Sequence, residues 1–263
     1  MKKSIMNHPF HMVTNSPWPI VTSFALLNSA MSATIMFHSS NIYYLAFNFL
    51  TLIIVIYQWW RDVIRESTYQ GMHTNKVLES LKLGMIMFIA SEVMFFFSFF
   101  WSFFHSMLAS NTETGNEWPP LNIEMFNPYS TPLMNSIILI SSGVTVTWAH
   151  MCILNNNKKE CSKAMSTTIF LGIYFSMLQL DEYDMTSFSI SDSVYGSLFF
   201  LMTGFHGIHV MVGTFMLYVS QLRMDNNHLS SIHHFGFESA SWYWHFVDVV
   251  WLFLYISIYW WSY

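Results

Sequence analysis

Apolar residues run along this chain in blocks of about twenty, the length an α-helix needs to cross the hydrocarbon of a bilayer. Seven blocks stand out: Pro17 to Met36, Ile42 to Trp60, Leu83 to Leu108, Leu133 to Leu154, Ala164 to Leu180, Val194 to Leu222 and Ser239 to Ser262. The fifth is short. None alternates apolar and polar residues as a barrel strand does, so the pattern predicts an all-α integral membrane protein with seven transmembrane helices. No internal repeat is visible, and residues 1–263 read as a single membrane domain.

The basic residues give an independent test. Lys2 and Lys3 precede the first block, and Arg61, Arg65, Lys76 and Lys82 separate the second from the third. Lys158, Lys159 and Lys163 separate the fourth from the fifth, and Arg223 follows the sixth. The alternate connections hold only acids: Glu113, Glu117 and Glu124 in one, then Asp181, Glu182, Asp184 and Asp192 in another. Lys and Arg collect on one side of a membrane. The alternation therefore predicts seven crossings, with the N-terminus on the positive side and the C-terminus opposite. Trp59-Trp60 and Trp260-Trp261 read as interfacial depth anchors.

Composition narrows the class further. The chain is 53% hydrophobic and 19% aromatic but 10% charged, against about a quarter charged in soluble domains. Ten basic and 15 acidic residues are too few to cover a soluble surface, and disorder needs the opposite composition. A net charge of −5 without a basic run argues against nucleic acid as a partner. Cys152 and Cys161 cannot form a disulfide framework. The lysines at the start lead into Asn7, His8, Pro9 and His11 rather than an apolar core, so neither a cleavable signal peptide nor an Arg-rich transit peptide is expected. The longest polar connection, Asn111 to Thr131, contains Trp118-Pro119-Pro120 and reads as an ordered loop on the acidic side.

Glu92 is the most informative single residue, since it lies close to mid-bilayer in the third block. A carboxyl there must be protonated or hydrogen-bonded within the bundle. It is a proton-exchanging or gating group, or a neutral acid that glues helices together, and the sequence weighs the two evenly. In the sixth block, His206 and His209 lie three apart on one face, and Gly204 and Gly207 would permit close helix approach. Hydrogen bonds across helices explain those histidines better than a metal, which would need further ligands. His245 and Asp248 form an i, i+3 pair, structural before it is a proton shuttle. His233-His234 reads as a solvated interfacial pair. The methionines are scattered gap-fillers, not a copper box. Trp59 and Trp60 followed by Arg61 and Arg65 make a corner suited to lipid headgroups.

These stretches closely resemble subunit III of mitochondrial cytochrome c oxidase. The matching strings include Ser16-Pro17-Trp18-Pro19, Tyr57-Gln58-Trp59-Trp60-Arg61-Asp62, Ser91-Glu92-Val93, Trp148-Ala149-His150 and Gly204-Phe205-His206-Gly207-Ile208-His209. The longest runs from His233 through Glu238 and on through Trp242 to Trp251. The resemblance implies two-helix and five-helix bundles enclosing a lipid cleft, in the inner mitochondrial membrane. It implies a matrix N-terminus, an intermembrane-space C-terminus, and no catalytic residue, haem, copper or other metal on this chain. Haem and copper would lie on partner subunits, among them subunits I and II, beside accessory subunits and bound phospholipid. On the same ground Glu92 matches the embedded carboxyl near the cleft, and Trp60, Arg65, His73 and Arg223 match phospholipid contacts. The role implied is that of a non-catalytic subunit supporting oxygen reduction coupled to proton pumping. A secondary transporter or proton channel built on Glu92, His206, His209, His245 and Asp248 is the alternative, as is the equivalent subunit of a quinol oxidase.

Overall fold

Backbone hydrogen bonding inside an oily phase has to be satisfied locally, and this chain meets that demand with helices throughout. The structure is a computed structural model describing residues 8–110, 112, 115–121 and 123–263. Lys2, Lys3, Asn7, Asn111 and Glu113 lie outside the described residues. The helices are α1 Trp18–Ser39, α2 Tyr43–Thr68, α3 Asn75–Leu108, α4 Thr131–Leu154, α5 Lys158–Asp184, α6 Val194–Asp225 and α7 Phe235–Leu254. A π-helical turn, Tyr255–Trp260, continues α7. Among the described residues there is no strand.

Several helices run past their apolar blocks. α3 has 34 residues and α5 has 27, because the mixed sequence of 75–82 and the mostly polar sequence of 158–163 continue the same hydrogen-bond ladder. Local signals set the ends. Ser193 Oγ accepts the Gly196 N–H at the start of α6, and Asn157 does the same for Glu160 at the start of α5. Ser40 closes α1 in the left-handed conformation.

Among the described residues, five helices, α1, α2, α3, α4 and α6, are long and apolar enough to cross a membrane. The expectation of seven is met in that part. α5 falls short because charges at both ends leave a short apolar middle. α7 falls short because Trp, Tyr and His, which each carry a polar atom, fill much of it.

The chain divides into two compact units at Leu81 and Lys82. In the first, α1 turns a face of small residues, Thr22, Ala25 and Ser32, inward, and such residues let helices approach closely. Trp18 Nε1 donates to Asp62 Oδ2 at 2.7 Å, tying the start of α1 to α2.

In the second unit, the α4 face of Ile138, Leu139, Ser142, Val146 and Ala149 is buried, with the three-to-four spacing of one helix face. Trp244 and Trp251 of α7 are enclosed, and their indole N–H groups donate to Ser142 Oγ at 2.9 Å and Ser136 Oγ at 3.0 Å. Each bond lets a large ring be buried without stranding its donor. Thr145 of α4 and Thr168 of α5 bond hydroxyl to hydroxyl at 2.7 Å.

The glycines that make room are not the ones the sixth block advertised. A Cβ on Gly207 would meet nothing within 4 Å, and one on Gly204 only Tyr183 Oη at 3.9 Å. The close approaches fall at Gly172 and Gly213 instead, where a Cβ would lie 2.7 and 2.8 Å from the Trp244 ring. Which face of a helix meets an indole is a tertiary fact, and glycine spacing alone does not encode it.

Candidate functional site

Glu92 of α3 and His209 of α6 meet at 2.9 Å, Oε2 to Nε2. The other nitrogen, Nδ1, lies 2.6 Å from the Phe205 carbonyl, so it has to be the N–H. Nε2 then either accepts the O–H of a neutral Glu92 or, as imidazolium, donates to the carboxylate. Either way the pair shares one dissociable proton and carries no net charge, which resolves the cost of an acid in this position. Four aromatic rings wall the imidazole: Phe95, Phe96, Tyr243 and Phe246, at centroid distances of 6.3, 5.0, 6.1 and 6.2 Å.

The neighbouring histidine takes a different partner. His206 is buried, and its Nε2 donates to the Val247 carbonyl at 3.2 Å. His206 and His209 therefore share a face but not a ligand. His245 Nδ1 lies 3.6 Å from Asp248 Oδ2, with side-chain exposures of 42% and 12%. The aspartate is largely sheltered and the histidine is half open, so neither member of the pair is fully enclosed.

One end of the second unit is basic. Lys158 Nζ donates to the Asp225 carbonyl at 2.7 Å and Asn227 Oδ1 at 3.0 Å, fastening the α4–α5 turn to the end of α6. Lys82 pairs with Glu238 at 2.9 Å. His234 bonds the Ser230 carbonyl through Nδ1 at 3.0 Å, and its Nε2 lies 3.2 Å from His150 Nε2. With both rings neutral, His150 is the donor. His234 is thus tied into the end of the bundle rather than left to solvent. Arg223 lies over Gly236, its Nη1 2.3 Å from where a Cβ would stand, so a side chain there would make the guanidinium shift. Burial and the Arg223 guanidinium both hold His233 below the usual imidazole range.

The remaining lipid-contact expectations fall in the first unit. Trp60 is 52% exposed. Arg65 is an open side chain 3.7 Å from Asp62, which also takes Arg61 at 3.2 Å. His73 lies with its ring 6.0 Å from that of His11, whose Nε2 is 3.5 Å from Glu66. Among the described residues, no group of three His, Cys, Asp or Glu side chains is placed to hold a metal ion.

Sequence reasoning passed over Glu182, grouped with the solvated acids of a connection. It is 1% exposed. Tyr259 Oη donates to its Oε1 at 2.6 Å, and Thr131 Oγ1 donates to Oε2 at 3.4 Å. Glu182 lies beyond the apolar stretch of α5, and burial pushes its carboxyl up to about 7 against the pull of Tyr259, Thr131 and Gln179. The signal available was position: Asp181 and Glu182 point to different sides of one helix, and only one can face out.

Comparison with known proteins matches these features to a family. The family model for cytochrome c oxidase subunit III matches residues 8–263. Cytochrome c oxidase subunit 3 of Lycodon semicarinatus is 53% identical over 255 residues, covering 97% of this chain and 98% of its own length. The proteins of the same name from Drosophila melanogaster and Struthio camelus are each 54% identical, over 256 and 255 residues and with the same coverage of 97% and 98%. With a match that runs from His8 to the last residue, the chain belongs to the cytochrome c oxidase subunit III family.

Proposed function

We propose that this chain is a non-catalytic core subunit of mitochondrial respiratory oxidase that crosses the inner membrane seven times, holds phospholipid and supports subunit I. Haem and copper, on partner subunits, supply the electron chemistry and the coupled proton translocation, and subunit II and accessory subunits complete the assembly. Trp60, Arg65, His73 and Arg223 are the phospholipid contacts in this reading. α5 and α7 count as the two further crossings. Each is sheltered by neighbouring helices, so neither has to be apolar all round. The N-terminus faces the matrix and the C-terminus the intermembrane space.

One observation carries the reading. The Glu92 carboxyl ends on a single imidazole that four aromatic rings surround. A relay for protons needs further protonatable groups in line, and here the next shell is mostly hydrocarbon. The Glu92–His209 pair therefore stiffens the α3–α6 contact and supports turnover in the partner indirectly. Glu92→Gln in the assembled oxidase tests this. The expected outcome is an unchanged initial rate of oxygen consumption and proton release, followed by faster loss of activity during turnover. Immediate loss of pumping would overturn the indirect role and make Glu92 a direct carrier.

A further inference from the structure

Glu182 ties three helix ends together. Thr131 is the first residue of α4, Glu182 belongs to the last turn of α5, and Tyr259 stands in the π-helical turn after α7. The groups facing the carboxyl are Thr131 from α4, Gln179 and Tyr183 from α5, Tyr195 from α6, and Tyr259. None is a cation. Asp181 and Asp184, on the same helix, are exposed. An ionised Glu182 would thus be a buried negative charge with no counter-charge among its neighbours, the arrangement that binding one proton relieves.

Two buried amides extend the polar pocket. Gln179 is 4% exposed and acts on both Glu182 and Tyr259, yet neither its Oε1 nor its Nε2 has a well-formed hydrogen bond. Asn135 is fully enclosed, and its Oδ1 and Nδ2 are likewise unpartnered. Thr131 against Glu182 and Thr145 against Thr168 fix one antiparallel register for α4 and α5. That register sets Asn135 one turn beyond Thr131, opposite Leu178 and Gln179. Unpaired amides are costly to enclose, and here they lie one turn away from an acid. Thr131 Oγ1 is at hand to accept from a protonated Oε2.

We propose that Glu182, lined by Tyr259, Thr131, Gln179 and Asn135, is a proton-binding site on the acidic side of the molecule. One proton from bulk water adds to Oε2, and no other bond forms or breaks. Protonated, the carboxyl joins the start of α4, the end of α5 and the C-terminal turn. Ionised, it keeps the Tyr259 and Thr131 donors but is a buried charge without a counter-charge. The site is independent of the lipid-holding role.

Infrared difference spectra of the assembled oxidase, recorded from pH 5 to pH 9, test it. The wild type should lose a protonated-carboxyl band with a midpoint near pH 7, and Glu182→Gln should lack that change. Tyr259→Phe removes a donor that favours the carboxylate, so the midpoint should move upward. Should Glu182→Gln fail to assemble, glutamate labelled at the side-chain carboxyl identifies the band in the wild type and in Tyr259→Phe. Identical spectra for wild type and Glu182→Gln would overturn the proposal, as would a midpoint that Tyr259→Phe leaves in place.

Discussion

At the scale of single residues, the decisive quantity is whether a polar atom has a partner once water is gone. Glu92 has His209, and Trp244 and Trp251 have serine hydroxyls. Glu182 has donors but no cation, and that difference makes stability depend on pH. Its folded value, about 7, lies above the usual carboxyl value, so the folded state binds the proton more tightly than the unfolded chain. The stabilisation is then complete below about pH 4.5 and is lost as pH rises through 7. The shift corresponds to about 3 kcal/mol at full loss. Thermal unfolding of the oxidase between pH 5 and 8 should show a fall in midpoint with rising pH that Glu182→Gln flattens. Equal slopes in the two proteins would remove Glu182 as the cause. Little of this was legible in the chain itself. Glu92 stood out because it interrupts an apolar run, whereas Glu182 sits among other acids, and its enclosure depends on Tyr259, 77 positions away.

At the scale of helices, the sequence was a good guide to where each one lies and a poor guide to which face is covered. Apolar blocks locate helices because backbone groups in oil must bond within the segment. The ends were harder, since mixed turns such as 75–82 continue a helix with Val77, Leu78 and Leu81 as the only apolar signal. Gly204 and Gly207 looked like contact glycines by spacing, but the Trp244 ring rests against Gly172 of α5 and Gly213 of α6. An added methyl at Gly213 would sit 2.8 Å from Cε3 of an indole locked by its bond to Ser142. A ring held on several sides cannot yield, and overpacking of this kind costs about 1–3 kcal/mol. Gly213→Ala should therefore lower the thermal midpoint of the oxidase or its yield, and Gly207→Ala should cost less. Equal effects would mean that the Trp244 cradle is not what holds α5, α6 and α7 together.

At the scale of the second unit, the separation of charge along α6 sets which connections share a side. Trp118 packs edge-on against Tyr195, near the start of α6, at 5.7 Å between ring centroids. At the far end of the same helix, Lys158 holds the Asp225 carbonyl. α6 has 32 residues, about 48 Å at the rise of an α-helix, which exceeds the thickness of the hydrocarbon. Glu117, next to Trp118, and Lys158 must therefore emerge on opposite faces if α6 crosses at all. Single cysteines at the two positions make this a direct measurement with a membrane-impermeant thiol reagent on intact mitoplasts. Background from Cys152 and Cys161 should be low, since they are 8% and 1% exposed. Glu117→Cys should label from the outer face without permeabilisation, while Lys158→Cys should label only after the membrane is opened. Labelling of both before opening would mean that α6 does not span. Labelling of Lys158→Cys alone would turn the chain over and place its basic connections in the intermembrane space, against the rule that collects lysine and arginine on the matrix side.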